Sequence, residues 1–211
     1  MTGRVMVTVP YISTWSEETT ERPHRVMDFL GRVAYHDERP SDRDEHGVLW
    51  NRITHQPGQG EPQLGKVHSL RQREVMTGLR CQVCAGPADR NQDGVLWLLH
   101  DDRGGPDHWP GWPNDMAAVH PPLCLPCARR SVRMCPHLTN TYVAVRVKHH
   151  PIVGVYGALY DPRNPHRPLT DAIVAYHHHE IRWTIASQLV RTLHGCHLTN
   201  LDDEMGPHRP G

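Results

Sequence analysis

Two pairs of cysteines constrain this chain more than any other feature. Cys81-Gln-Val-Cys84 opens a central stretch that Cys124-Leu-Pro-Cys127 closes. Two residues between cysteines let one tight turn present both thiolates to a single ion, and four thiolates complete the closed tetrahedral shell that structural Zn²⁺ takes. Cys81, Cys84, Cys124 and Cys127 are therefore read as the ligands of one structural zinc. Ala85 and Gly86 follow the first pair and are small enough to let backbone amides turn toward the sulfurs.

The rest of the composition narrows the setting. With 211 residues and 37% hydrophobic content, the chain suits one full-sized domain or two small ones, each able to bury a core. Phe29 is the only phenylalanine, so that core must come from Val, Leu, Ile, Trp and Tyr. Basic and acidic residues balance at 23 each, so no global field draws the protein to nucleic acid or an anionic membrane, and any such binding must be local. No apolar run approaches the roughly 20 residues of a membrane span, and residues 1–10 lack a signal-peptide core. A cytoplasmic protein is expected, and a reducing cytosol favours metal binding over disulfides.

Taken in order, residues 1–9 alternate as a short strand with Val5, Val7 and Val9 on one face. Residues 25–35 carry Val26, Phe29, Leu30 and Val33 at helix-like spacing. The polar run 36–47 reads as an exposed loop in which His36, Asp37, Asp42, Asp44 and His46 lack fixed ligand spacing. A strand over 48–53, a loop over 56–65 and a helix over 66–78 lead into the first cysteine pair. Residues 94–100 form an apolar strand, and the Pro-, Gly- and Trp-rich segment 101–122 an irregular excursion in which Trp109 and Trp112 pack as a lid over the hairpin, with a binding surface as the alternative. Residues 128–134 form a helix whose N-terminal amides favour the thiolate charge. Beyond it, 141–147 and 152–160 alternate as the two arms of a hairpin, 161–170 is a proline-rich loop and 172–177 a third strand. Residues 183–194 place Trp183, Ile185, Ala186, Leu189, Val190 and Leu193 on one helical arc, with Gly195 as the cap, and 199–211 read as a disordered tail.

Knuckle, hairpin, then cysteines at a helix start is the order of a treble clef. The expected fold is α+β, with a central treble-clef zinc module over 66–138. It is flanked by a strand and helix region over 1–65, a hairpin, strand and helix over 139–198 and a tail over 199–211, or all are parts of one compact domain.

Other chemistry is sparse. His177–His179 form a run, but strand neighbours point to opposite faces, so only His177 and His179 could chelate together. Cys196 sits between His194 and His197 without an evident orienting acid. Cys135 and His137, at the end of the helix over 128–134 beside a shell already complete, read as a buried thiol and a cap, with a spare ligand as the alternative. Arg129, Arg130 and Arg133 on the helix after the clasp are candidate phosphate contacts. No phosphate loop, nucleophile elbow or HExxH is present.

Over roughly residues 70–135, two C-x-x-C pairs bracketing a strand that ends in histidine resemble the treble-clef HNH nucleases, the endonuclease VII group in particular. That resemblance implies His100 as the activator of water, Asp101 and Asp102 as holders of Mg²⁺ or Mn²⁺, and DNA as substrate. The sequence departs from the family where its Asp-His pair reads Leu99-His100 and where Ala128, not asparagine, follows Cys127. The whole chain also resembles zinc-clasp proteins of streptomycetes, in keeping with a GC-rich codon bias that leaves Lys66 and Lys148 as the only lysines. This resemblance implies no activity. The expected function is a zinc-stabilised binding or regulatory protein, an adaptor for nucleic acid or protein with no membrane partner, and the alternative is the metal-dependent nuclease.

Overall fold

A computed structural model describes residues 8–28, 30–105, 108–138 and 141–204. In chain order these form strands β1 (Ser13–Trp15), β2 (Arg25–Met27), β3 (Val33–Tyr35), β4 (Leu49–Trp50) and β5 (Pro62–Val67), then helix α1 (Ser69–Thr77). Strands β6 (Arg90–Asn91), β7 (Gly94–His100) and β8 (Met116–Ala118) precede helix α2 (Leu125–Met134). Strands β9 (Tyr142–His149), β10 (Ile152–Asp161), β11 (Asn164–Ala175) and β12 (Thr184–Thr199) complete the order. The chain divides into two compact units assembled from separated stretches. One takes the described parts of Met1–Tyr11, Glu74–Pro151 and Thr192–Gly211, the other Ile12–Arg73 and Ile152–Arg191.

The first unit is built on β7, whose alternation sends Val95, Trp97 and Leu99 to one face and Leu96 and Leu98 to the other. β7 pairs antiparallel with β9 from Val95↔Val147 to His100↔Tyr142, and β9 pairs antiparallel with the last part of β12. Each face carries its own core. Leu96, Leu98 and Ala144 pack with Cys81, Cys127, Ala128 and Leu123, while Val95, Trp97 and Leu99 pack with Val145, Leu193 and Trp112. The excursion folds back as expected: Trp112 is 7% exposed, and the Trp109 indole N–H donates to the Asn114 carbonyl at 3.0 Å. Gly94 turns the β6–β7 hairpin at φ +122°, and a Cβ there would lie 2.1 Å from the Val147 carbonyl oxygen, so no side chain fits.

In the second unit β10 is flanked antiparallel by β11 and by the first part of β12, and β4 runs parallel to β12. β2 and β3 form a hairpin, and β1 pairs with β5. Val33, Tyr35, Leu49, Tyr160, Trp183 and Ile185 form its core. Buried charge supplements this core. Glu18 and Arg71 meet at 2.6 and 2.7 Å, and Arg52 holds Asp42 at 2.7 Å and Asp37 at 3.0 Å.

Several sequence expectations are overturned. Residues 183–194 are not a helix: from Thr184 they belong to strand β12, and Gly195 lies inside that strand at φ +63° rather than capping a helix. Covered on both faces, β12 shows no polar alternation, and its apolar residues happen to fall at helical intervals. β9 and β10 are strands but do not form a hairpin with each other; each pairs with β12, along different parts of it. Residues 25–35 form the β2–β3 hairpin, with Phe29 outside the described residues. The loops expected over 56–65 and 161–170 contain strand residues of β5 and β11. The tail is structured as far as Glu204, with Leu201 buried, and 205–211 lie outside the described residues, as does most of the strand expected over 1–9. Asp42, expected in a solvated loop, is buried against Arg52. The structure is therefore mixed and strand-rich, with antiparallel pairing dominant and two α-helices among the described residues. No helix among them is long and apolar enough to cross a membrane.

Candidate metal centre

The first cysteine pair sits on a turn that the backbone closes on itself. Cys81 donates its N–H to the Gly86 carbonyl at 2.7 Å, and Ala85 donates to the Cys81 carbonyl at 2.8 Å. Ala85 adopts φ +58°, a left-handed conformation uncommon for a residue with a side chain, and it reverses the chain within this turn. The Val83 N–H donates to Cys81 Sγ at 3.4 Å, and Gly86 lies so near Cys84 that a Cβ would sit 3.4 Å from its sulfur. The second pair is brought in by β7: Leu123 donates to the Leu96 carbonyl, and Gln82 donates to the Pro122 carbonyl. Cys124 is the N-cap of α2 with extended backbone, and Cys127 lies in the helix's first turn. The helix dipole thus directs its positive end at the thiol cluster.

All four Sγ atoms lie within 4.8 Å of one another, and Cys84 Sγ is 3.8 Å from Cys124 Sγ. A tetrahedral ion with metal–sulfur bonds of about 2.3 Å has sulfur–sulfur edges of about 3.8 Å, so the cluster has the size of such a site. All four cysteines are free thiols. Burial pushes the Cys124 thiol up to about 11 and also raises Cys127, while at Cys84, the most exposed of the four, partial desolvation is outweighed by the Gly86 N–H and the adjoining sulfurs, which lower it. Bringing four such groups together as thiolates calls for a cation between them. The arrangement fits a structural metal such as zinc. Among the described residues no other group of three or more His, Cys, Asp or Glu side chains is so placed.

The remaining candidate residues are mostly committed elsewhere. His100 ends β7, its Nδ1 2.9 Å from Asp102 Oδ1, on the strand face that also carries Leu96 and Leu98. Asp101 instead receives Arg103 through two contacts at 2.8 and 2.7 Å, which hold its carboxyl down at about 2. Arg129 donates to the Leu201 carbonyl at 3.1 and 2.6 Å, a link that no sequence signal announced. Arg130 reaches the Thr8 hydroxyl at 2.9 Å, and Arg133 is exposed. With Pro126 and Met134, these arginines line a shallow depression of about 410 Å³ along the outer face of α2.

The histidine run lies in a turn and a short 3-10 helix rather than a strand. There His178 accepts from the Glu180 N–H and its ring meets that of His179 at 4.4 Å. His194 does have an acid, Asp115, at 2.8 Å, a pairing the sequence hid. Cys196 is nonetheless a half-buried thiol raised to about 11 by burial, and it donates to the Pro113 carbonyl, which leaves it a poor nucleophile. Cys135 caps the end of α2, and the His137 side chain lies outside the described residues. Comparison with known proteins gave no matching family model, no matching curated protein and no matching solved structure.

Proposed function

We propose that this chain is a binding or regulatory protein whose Cys81, Cys84, Cys124 and Cys127 hold a structural Zn²⁺ in a treble clef, with no catalysis of its own, and that α2 presents an arginine face to an anionic partner, nucleic acid first. The observation that carries the reading is the closed set of four sulfurs at the N-terminus of the arginine-bearing helix. A four-thiolate shell leaves no open position to activate water, so the ion serves to hold α2 against β7. A cytoplasmic setting would keep the thiols reduced. Arg130 and Arg133 are the contacts to test, because Arg129 already binds Leu201. Zinc near one equivalent per untagged chain, together with retention of duplex or single-stranded nucleic acid that weakens steeply with salt and with Arg130→Ala plus Arg133→Ala, is the expected outcome. Salt-insensitive capture of one protein instead would make the partner a protein, and zinc near zero would defeat the reading.

A nuclease reading is favoured by one contact, that of His100 with Asp102, at the end of a strand whose Leu96–Leu98 face packs against the cysteine cluster. Its expected sign is plasmid nicking with Mg²⁺ or Mn²⁺ that His100→Ala abolishes. The commitment of Asp101 to Arg103 counts against it, since that carboxylate would have to exchange an arginine for the metal.

A further inference from the structure

The second unit contains a cleft of about 490 Å³ that shares no residue with the cysteine cluster. Its walls are the end of β10, the turn that follows it, Leu169 of β11 and the 3-10 helix His179–Trp183 that leads into β12. Tyr160 and Trp183 line it, 5% and 8% exposed, beside Leu159. Volume and aromatic lining match sites that take small organic molecules.

Two observations separate this cleft from a surface dent. Buried tyrosine and tryptophan ordinarily find partners for their polar atoms. Among the described residues neither the Tyr160 hydroxyl nor the Trp183 indole N–H has a hydrogen bond, and neither atom is sealed from solvent. The Tyr160 ring is itself fixed, with the Arg25 guanidinium 5.3 Å from its centroid.

The second observation is charge. The carboxylates on the rim are engaged: Asp161 accepts from Arg163 at 3.2 Å, and Glu180 lies 3.3 Å from His178 Nδ1. Arg182, exposed at the rim, has no ion pair among the described residues. The site therefore offers an apolar aromatic surface and one spare guanidinium.

We propose that this cleft binds a small planar aromatic carboxylate. The ring packs against Trp183, Tyr160 and Leu159. Arg182 takes the carboxylate as a two-pronged donor. A neutral aromatic would leave Arg182 unused, and an aliphatic acid would leave the rings uncovered. The proposal is independent of the zinc reading.

The test is calorimetric titration of the full chain with 1-naphthoate, and with 1-naphthamide as its neutral counterpart. The expected result is saturable naphthoate binding with Kd on the order of 0.1 mM, reasonable for a ligand of this size, and naphthamide at least tenfold weaker. Arg182→Gln, at an exposed position, should weaken naphthoate about tenfold and leave naphthamide unchanged. Equal affinity for the two compounds, no saturation at millimolar concentrations, or naphthoate binding indifferent to Arg182→Gln would each overturn the proposal.

Discussion

Arg146 Nη2 lies 2.6 Å from Glu204 Oε2, a contact that joins the middle of β9 to the last described residue of the chain. Arg146 is 2% exposed and also meets Asp89 at 2.7 Å, so the guanidinium is desolvated and depends on both carboxylates. Removing one partner of a buried pair costs far more than the pair itself contributes. Glu204→Ala should therefore lower stability by about 2–3 kcal/mol in urea denaturation, and deletion from residue 200 onward, which also removes buried Leu201, by more. An unchanged midpoint on deletion would show that this segment only rests on the surface.

Metal removal should act locally first. Cys84 is exposed, so Cys84→Ser opens no cavity, and any loss of stability reports a lost ligand rather than lost packing. We expect zinc content to fall sharply in this variant and its melting temperature to drop. A strong chelator should unfold the cysteine-bearing unit, since structural zinc contributes on the order of 10 kcal/mol of apparent folding free energy. Unaltered melting after verified metal removal would show that the four thiols do not depend on an ion.

The Glu18 network sets an acid limit. Burial alone would raise the Glu18 carboxyl, but Arg71 and the N–H groups of Trp15 and Gln56 hold it down at about 2 against an ordinary 4.5. A depressed carboxylate contributes stability that is present above its unfolded value and lost as pH falls through the folded one. The effect is on the order of 3 kcal/mol lost between about pH 5 and 2. His68, fully buried beside Glu18, is lowered by burial, so acid also erodes stability below the ordinary histidine range of about 6.5. Glu18→Gln should flatten the lower part of the pH–stability curve, measured by denaturation between pH 2 and pH 7. A variant as acid-sensitive as the parent would assign the loss to other carboxylates.

The arginines of α2 should divide by role. Arg129→Ala removes two charge-assisted bonds to the Leu201 carbonyl and should cost about 1–3 kcal/mol of stability. Arg133→Ala, at an exposed position, should leave stability within about 0.5 kcal/mol and change only binding. Thermal melts and salt-dependent binding on the same two proteins separate these effects.

Gly94→Ala should be severely destabilising, because the new methyl would meet the Val147 carbonyl at a φ that alanine avoids. Gly58, also at positive φ but with nothing within 4 Å, isolates the conformational part of that cost. Comparable denaturation midpoints for Gly58→Ala and Gly94→Ala would mean that the strands near Val147 yield to the methyl group.

Local chemistry was readable where a residue's role depends on its own neighbours. The spacing of Cys81, Cys84, Cys124 and Cys127 foretold their clustering, and the apolar run 94–100 foretold β7 with its bounds. Helices over 66–78 and 128–134 correspond to α1 and α2, shifted by a few residues at their ends. The arginines following Cys127 were visible too, but not that Arg129 would spend its donors on Leu201, seventy-two residues away.

What the sequence determined by itself, then, was the cluster of four cysteines and the elements beside it, since turn geometry, thiol chemistry and a short apolar run act over a few residues. Only the tertiary structure decided the state of residues 184–199. Their apolar positions fit a helical arc and a doubly covered strand equally well, and pairing with β9 and β10 selects the strand. That choice in turn separates β9 from β10 as a hairpin and sets Trp183 beside Tyr160 at the cleft, because backbone groups in a sheet are satisfied by partners distant in sequence.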